Sequence, residues 1–114
     1  MRWIDVGALD EIPQRGARVV RTASGDIAVF RTGTDWVFAL RDLCPHKGGP
    51  LSQGIVFDHR VACPLHDWVI DLASGEAQGP DDGCVKRFPV KVEEGRVLLA
   101  PALGNEQMEN AAVA

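Results

Sequence analysis

Short apolar runs separated by Gly-, Pro- and Asp-rich breaks recur along this chain, and residues 1–100 hold no amphipathic helical pattern of ordinary length. In "RWIDV", Trp3 and Asp5 alternate with Ile4 and Val6 up to Gly7, which predicts a first strand ending there. "ALDEIPQRG" has room for one helical turn before Pro13 stops it. "ARVVRT" and "DIAVFR" predict two strands joined at Ala23-Ser24-Gly25 as a hairpin. After the turn "RTGTD", "WVFAL" predicts a third β-run reaching Arg41. "VAC" and "WVIDL" predict short strands flanking a loop, with "ASGE" and "GPDDGC" as breaks after them. "VKRFPVKV" places Phe88, Val90 and Val92 on one face, and Pro89, lacking an N–H for the ladder, marks an edge or bulged strand. "EEG" then turns the chain into "RVLLA". The pattern predicts a single all-β, antiparallel domain over residues 1–100, with a loop-rich insert at about 42–80 and a flexible tail at 101–114.

A length of 114 residues suits one domain, and its apolar content, 46%, suffices for an ordinary core. The formal net charge of −4 argues against a nucleic-acid binder, whose phosphate contacts need a basic face, so nucleic acid is not an expected partner. No polybasic patch and no apolar window of membrane-spanning length is present, so no membrane partner is expected either. The opening "MRWIDVGALDEIP" lacks the apolar core of a signal peptide, and three cysteines do not make a disulfide framework. A cytoplasmic location follows as the expectation, and in that setting neighbouring Cys and His point toward metal.

Residues 44–66 concentrate that chemistry. They hold three prolines, three glycines, all three histidines and two of the three cysteines. Cys44, His46, Cys63 and His66 are competent metal ligands. Structural zinc sites favour like ligands paired at Cys-x₂₋₄-Cys or His-x₃₋₅-His spacing. Here each local pair is mixed and the first is only Cys-x-His, a short bite for one tetrahedral ion. Mixed pairs suit two neighbouring metals, with both thiolates on one and both imidazoles on the other. A zinc-stabilised binding module without redox work is the competing reading. Cys84 and His59 lie outside this pattern: Cys84 is expected in core or loop packing and His59 at a surface turn.

"CPHKGGPL" resembles the first box of the Rieske family, Cys-x-His-x-Gly-x-x-Leu, through Cys44, His46, Gly48 and Leu51, and "CPLH" resembles the second, Cys-Pro-x-His. The resemblance implies a Rieske-type antiparallel β-sandwich or barrel holding a [2Fe–2S] cluster, with Cys44, Cys63, His46 and His66 as its ligands. The extra cysteines of high-potential relatives are missing, with Leu65 inside the second box, and Asp67 follows His66. A potential in the lower part of the Rieske range is therefore expected, because a nearby anion disfavours reduction. Across roughly Trp3–Ala100, and chiefly in "HDWVIDLASGEAQG" and "FPVKVEEGRVLL", the chain is similar to small subunits of assimilatory NAD(P)H nitrite reductases. That similarity implies a cytoplasmic partnership with a large subunit carrying flavin, a [4Fe–4S] cluster and sirohaem, which reduces nitrite to ammonium. This chain has no flavin or nucleotide fingerprint and no catalytic residue of its own, so an electron relay or structural support is implied. A free Rieske ferredoxin serving an aromatic-ring dioxygenase would present the same boxes.

Overall fold

The computed structural model describes residues 3–23, 25–44, 49–64, 68–78 and 83–101. The strands are β1 (Ile4–Ala8), β2 (Gly16–Thr22), β3 (Gly25–Arg31), β4 (Val37–Arg41), β5 (Ile55–Phe57), β6 (Arg60–Ala62), β7 (Val69–Asp71), β8 (Arg87–Phe88), β9 (Val90–Glu93) and β10 (Arg96–Leu99). Two short 3₁₀ turns, Leu9–Glu11 and Leu51–Gln53, are the only helical segments among the described residues. The strands form three sheets in the orders β1-β10-β9, β2-β3-β4-β8 and β5-β6-β7. Every strand pair is antiparallel, as the short β-rich runs joined by tight turns predict.

The second sheet is the middle layer. Along β3, Ala28 and Phe30 join one buried cluster while Ile27 and Val29 join the other. In β4, Phe38 and Leu40 join the first cluster, and Val37 and Ala39 the second. A strand covered on both faces has no polar side to show, which is why these runs read as continuous apolar stretches rather than alternations. The second cluster continues into Val97 and Leu99 of β10 and Val90 of β9. The first continues into Val56, Val61 and Ile70 of the inserted β5-β6-β7 sheet. Burying a side chain the size of Phe30 stabilises the fold by about 1.5–3 kcal/mol, and Phe30 is completely enclosed.

Two local expectations change. Gly7 does not end the first strand. It lies inside β1 at φ 123°, where pairing with β10 slips between Asp5 and Ala8. The slip is a β-bulge, and the Asp5 carboxylate braces it by accepting the Gly7 N–H at 2.9 Å. Pro89 does more than mark an edge. β8 pairs with β4 in the middle sheet while β9 pairs with β10 in the outer one, so the chain changes sheet at Pro89. A residue with no N–H to donate fits that crossing point. Phe88 and Val90 are buried in one cluster with Val92 packed on it, as the alternation predicts.

Candidate metal centre

The candidate centre falls on the segment that leads from β4 toward the inserted sheet and on the connection between β6 and β7 within that sheet. From β4 the chain runs through Asp42 and Leu43 to Cys44, whose N–H donates to the Gly49 carbonyl at 2.8 Å. From β6 it runs into Cys63, whose N–H donates to the Trp68 carbonyl at 2.6 Å before β7 begins. Each backbone bond closes a loop at its base, with residues 45–48 inside the first and 64–67 inside the second. The two cysteines are 2% and 1% exposed and belong to the same buried cluster, with Leu51, Val61 and Ile70. No disulfide involves Cys44, Cys63 or Cys84. The structure therefore brings Cys44 and Cys63 into one apolar environment from positions far apart in sequence. The expected imidazole ligands, His46 and His66, lie outside the described residues, as does Asp67.

Several neighbours fix this frame. Asp42 is 8% exposed, and its carboxylate accepts the backbone N–H and the hydroxyl of Ser52, each at 2.7 Å. Gly54 faces the backbone of β6, and a Cβ there would run into the carbonyl oxygen of Ala62. Half-buried Trp68 packs on the cluster that contains both cysteines. At the end of β7, Asp71 holds a tight turn: its Oδ1 accepts the N–H groups of Ala73 at 2.9 Å and Ser74 at 3.0 Å, and its carbonyl accepts from Gly75 at 2.7 Å. Asp71, Ser74 and Gly75 in "WVIDLASGEAQ" thus have a scaffold role.

One expectation is corrected and another is refined. Cys84 is not a core residue. It is exposed, bridged to Glu76 and lining an open surface depression with Ala77 and Gly83. His59 does occupy a turn, between β5 and β6, but its ring is half-buried, 5.4 Å from the Trp36 ring and 5.3 Å from Phe38. Sequence reasoning missed Asp42 and Ser52. Their only trace there was an acid two positions before Cys44 and a hydroxyl just after Leu51.

A thiolate buried among Leu51, Val61 and Ile70 is costly without a cation beside it, so these two positions fit soft sulfur ligands to a metal. Two hydrogen-bonded loops presenting buried cysteines beside a small inserted sheet define an iron–sulfur β-domain of the Rieske class. The chain belongs to the Rieske-like [2Fe–2S] domain family, whose profile matches residues 2–100. It is 38% identical over 96 residues to the ferredoxin subunit of anthranilate 1,2-dioxygenase from Burkholderia cepacia, covering 83% of this chain and 88% of that one. A ferredoxin solved in complex with the oxygenase of carbazole 1,9a-dioxygenase superimposes with a TM-score of 0.77 at 29% identity, covering 86% of this chain and 92% of that one. A protein from Mycobacterium tuberculosis assigned as the small subunit of an NADH-dependent nitrite reductase also gives a TM-score of 0.77, at 25% identity, covering 86% and 93%. The resident cofactor is a Rieske [2Fe–2S] cluster, which supplies one-electron transfer within an oxidoreductase system.

Proposed function

We propose that Cys44 and Cys63 ligate one iron of the cluster, that His46 and His66 ligate the other, and that the chain is the small subunit of a cytoplasmic NAD(P)H nitrite reductase. The observation that carries the ligand set is the burial of Cys44 and Cys63 in one apolar cluster, each at the base of a hydrogen-bonded loop that contains a histidine in its sequence. The partner is a large subunit bearing sirohaem and flavin, where nitrite is reduced to ammonium. This chain supplies one-electron relay or structural support and has no substrate site of its own. The similarity of "HDWVIDLASGEAQG" and "FPVKVEEGRVLL" to such small subunits supports the reading, together with the near full-length superposition on the mycobacterial protein.

A second reading is a free ferredoxin delivering electrons to an aromatic-ring-hydroxylating dioxygenase. The 38% identity to the anthranilate dioxygenase ferredoxin favours it. The scaffold role of Asp71, Ser74 and Gly75 also leaves part of the nitrite-reductase similarity accounted for by folding alone.

Anaerobic purification with the large subunit, followed by nitrite-dependent NAD(P)H oxidation with and without this chain, separates the two. The first reading predicts a stable complex whose turnover rises when the chain is added. Absence of a complex, with efficient electron delivery to a terminal oxygenase instead, establishes the second.

A further inference from the structure

Among the described residues, the buried polar or charged side chains are Thr32 and Asp42. Thr32 is accounted for by its own turn, where its hydroxyl accepts the N–H groups of Thr34 and Trp36 at 3.3 and 3.0 Å. Asp42 has a different relation to its surroundings. Its N–H donates to the Asp26 carbonyl at 3.0 Å, anchoring it beside the start of β3 in the middle sheet. Its two carboxylate oxygens reach across ten positions to Ser52, one taking the N–H and the other the hydroxyl, both at 2.7 Å. The segment spanned by these bonds, residues 43–51, contains the whole of the first Rieske box, Cys44 to Leu51. Inside it lies a second closure, the 2.8 Å bond from the Cys44 N–H to the Gly49 carbonyl. Beyond it, Gln53 and Gly54 donate to Pro50 and Leu51 and complete the 3₁₀ turn, while Leu51 is fully buried beside the cysteines.

A buried carboxylate is unfavourable unless its oxygens are hydrogen-bonded, and charge-assisted bonds of this length are the strong kind. Metal-ligating loops are held in register by such outer partners, whose loss loosens the metal even though they never touch it. We propose that Asp42 is a positioning residue for the cluster. Acting through Ser52, its carboxylate ties together the two ends of the segment that carries the first Rieske box and fixes where Cys44 presents its sulfur. The proposal rests on the reading of Cys44 as a ligand.

The test uses the full chain, purified anaerobically with its cluster. It follows the rate of visible bleaching under an iron chelator and the line shape of the reduced EPR signal. Asp42→Ala loses the cluster about tenfold faster than the wild type and gives a broadened signal. Asp42→Asn keeps both contacts, since its amide oxygen accepts the Ser52 N–H and its NH₂ donates to the Ser52 hydroxyl. It therefore restores most of the wild-type lifetime and a sharp line shape, with neutral bonds in place of charge-assisted ones. Ser52→Ala, which keeps the N–H bond alone, falls between. Val97→Ala, in the other buried layer, is the control for general destabilisation and leaves the line shape sharp.

Wild-type bleaching in Asp42→Ala, loss in Asp42→Asn as fast as in Asp42→Ala, or the same broadening in Val97→Ala would each overturn the clasp. Should Asp42→Ala fail to fold, wild-type behaviour of Ser52→Ala overturns it. A Cys44→Ser variant separates the underlying reading. Retention of the full cluster signal there removes Cys44 as a ligand, whereas loss there with unaltered Asp42→Ala rejects only the clasp.

Discussion

Cys44 and Cys63 stood out in the sequence through residue type and spacing, and the fold adds that both lie in one apolar cluster, where a thiolate would need a cation beside it. Cys84 was not legible in the same way. Nothing in "GPDDGCV" says whether that thiol faces the core, and the fold turns it outward. The ring of His59 is a similar case, since its packing on Trp36 and Phe38 depends on β4 meeting the β5–β6 turn. Replacing Cys44 or Cys63 with Ser, or His46 or His66 with Ala, is expected to abolish the visible absorption of the cluster. Cys84→Ser is expected to leave iron content unchanged, and iron analysis of the five variants checks both statements. Away from the centre, Asp5 joins β1 to β10 through paired bonds from the Arg96 guanidinium at 3.0 and 2.9 Å. Those bonds, and then the Gly7 N–H, hold its carboxyl below the ordinary value of 3.8. A depressed folded-state pKa means the contribution is fully present above the unfolded value and is lost as pH falls through the folded one. Asp5→Asn is therefore expected to flatten the loss of stability on acidification below about pH 4, and urea melts at neutral and acid pH compare the slopes. An unchanged slope would remove this pair from the acid response.

At the scale of the element, the hairpin β2–β3, the run β4 and the turn into β10 followed from β-rich apolar runs and the turn residues between them. What did not follow was the role of Pro89 as the point where the chain leaves one sheet for another, because that needs knowledge of which strand lies beside β8 and which beside β9. The strand β5 was also missed: "IVF" is three residues long, in a stretch whose glycines and prolines argue for loop. Its place depends on Gly54, where only a missing side chain lets the backbone lie against the Ala62 carbonyl. Gly54→Ala is expected to destabilise the fold by about 1–3 kcal/mol, the usual cost of forcing an atom into filled space. Denaturant unfolding measures it, and a cost near zero would mean that β5 shifts freely. Because β5 continues into β6 and Cys63, the same substitution is expected to shorten the lifetime of the bound cluster.

For the whole molecule, three antiparallel sheets give two buried layers, and only the layer shared with the insert contains the cysteines. Under the proposed ligand set, one layer serves stability alone while the other also frames the cluster. Reduction adds one negative charge to the cluster, so nearby anions oppose it. The sequence places Asp67 beside His66 and lacks the extra cysteines of high-potential relatives. The midpoint potential is accordingly expected in the lower part of the Rieske span of roughly −150 to +300 mV. Redox titration tests this, and a strongly positive midpoint would show that local hydrogen bonding outweighs the anion. The choice of partner was the least legible feature, because the frame around the cluster serves nitrite-reductase subunits and dioxygenase ferredoxins alike.

The mixed ligation on which all of this depends can be read from nitrogen couplings in pulsed EPR of the reduced protein. Two strongly coupled imidazole nitrogens are expected, with the whole reduced-cluster spectrum lost on replacing either His46 or His66. A spectrum without nitrogen coupling, or one that survives both replacements unchanged, would contradict the ligand set of Cys44, His46, Cys63 and His66.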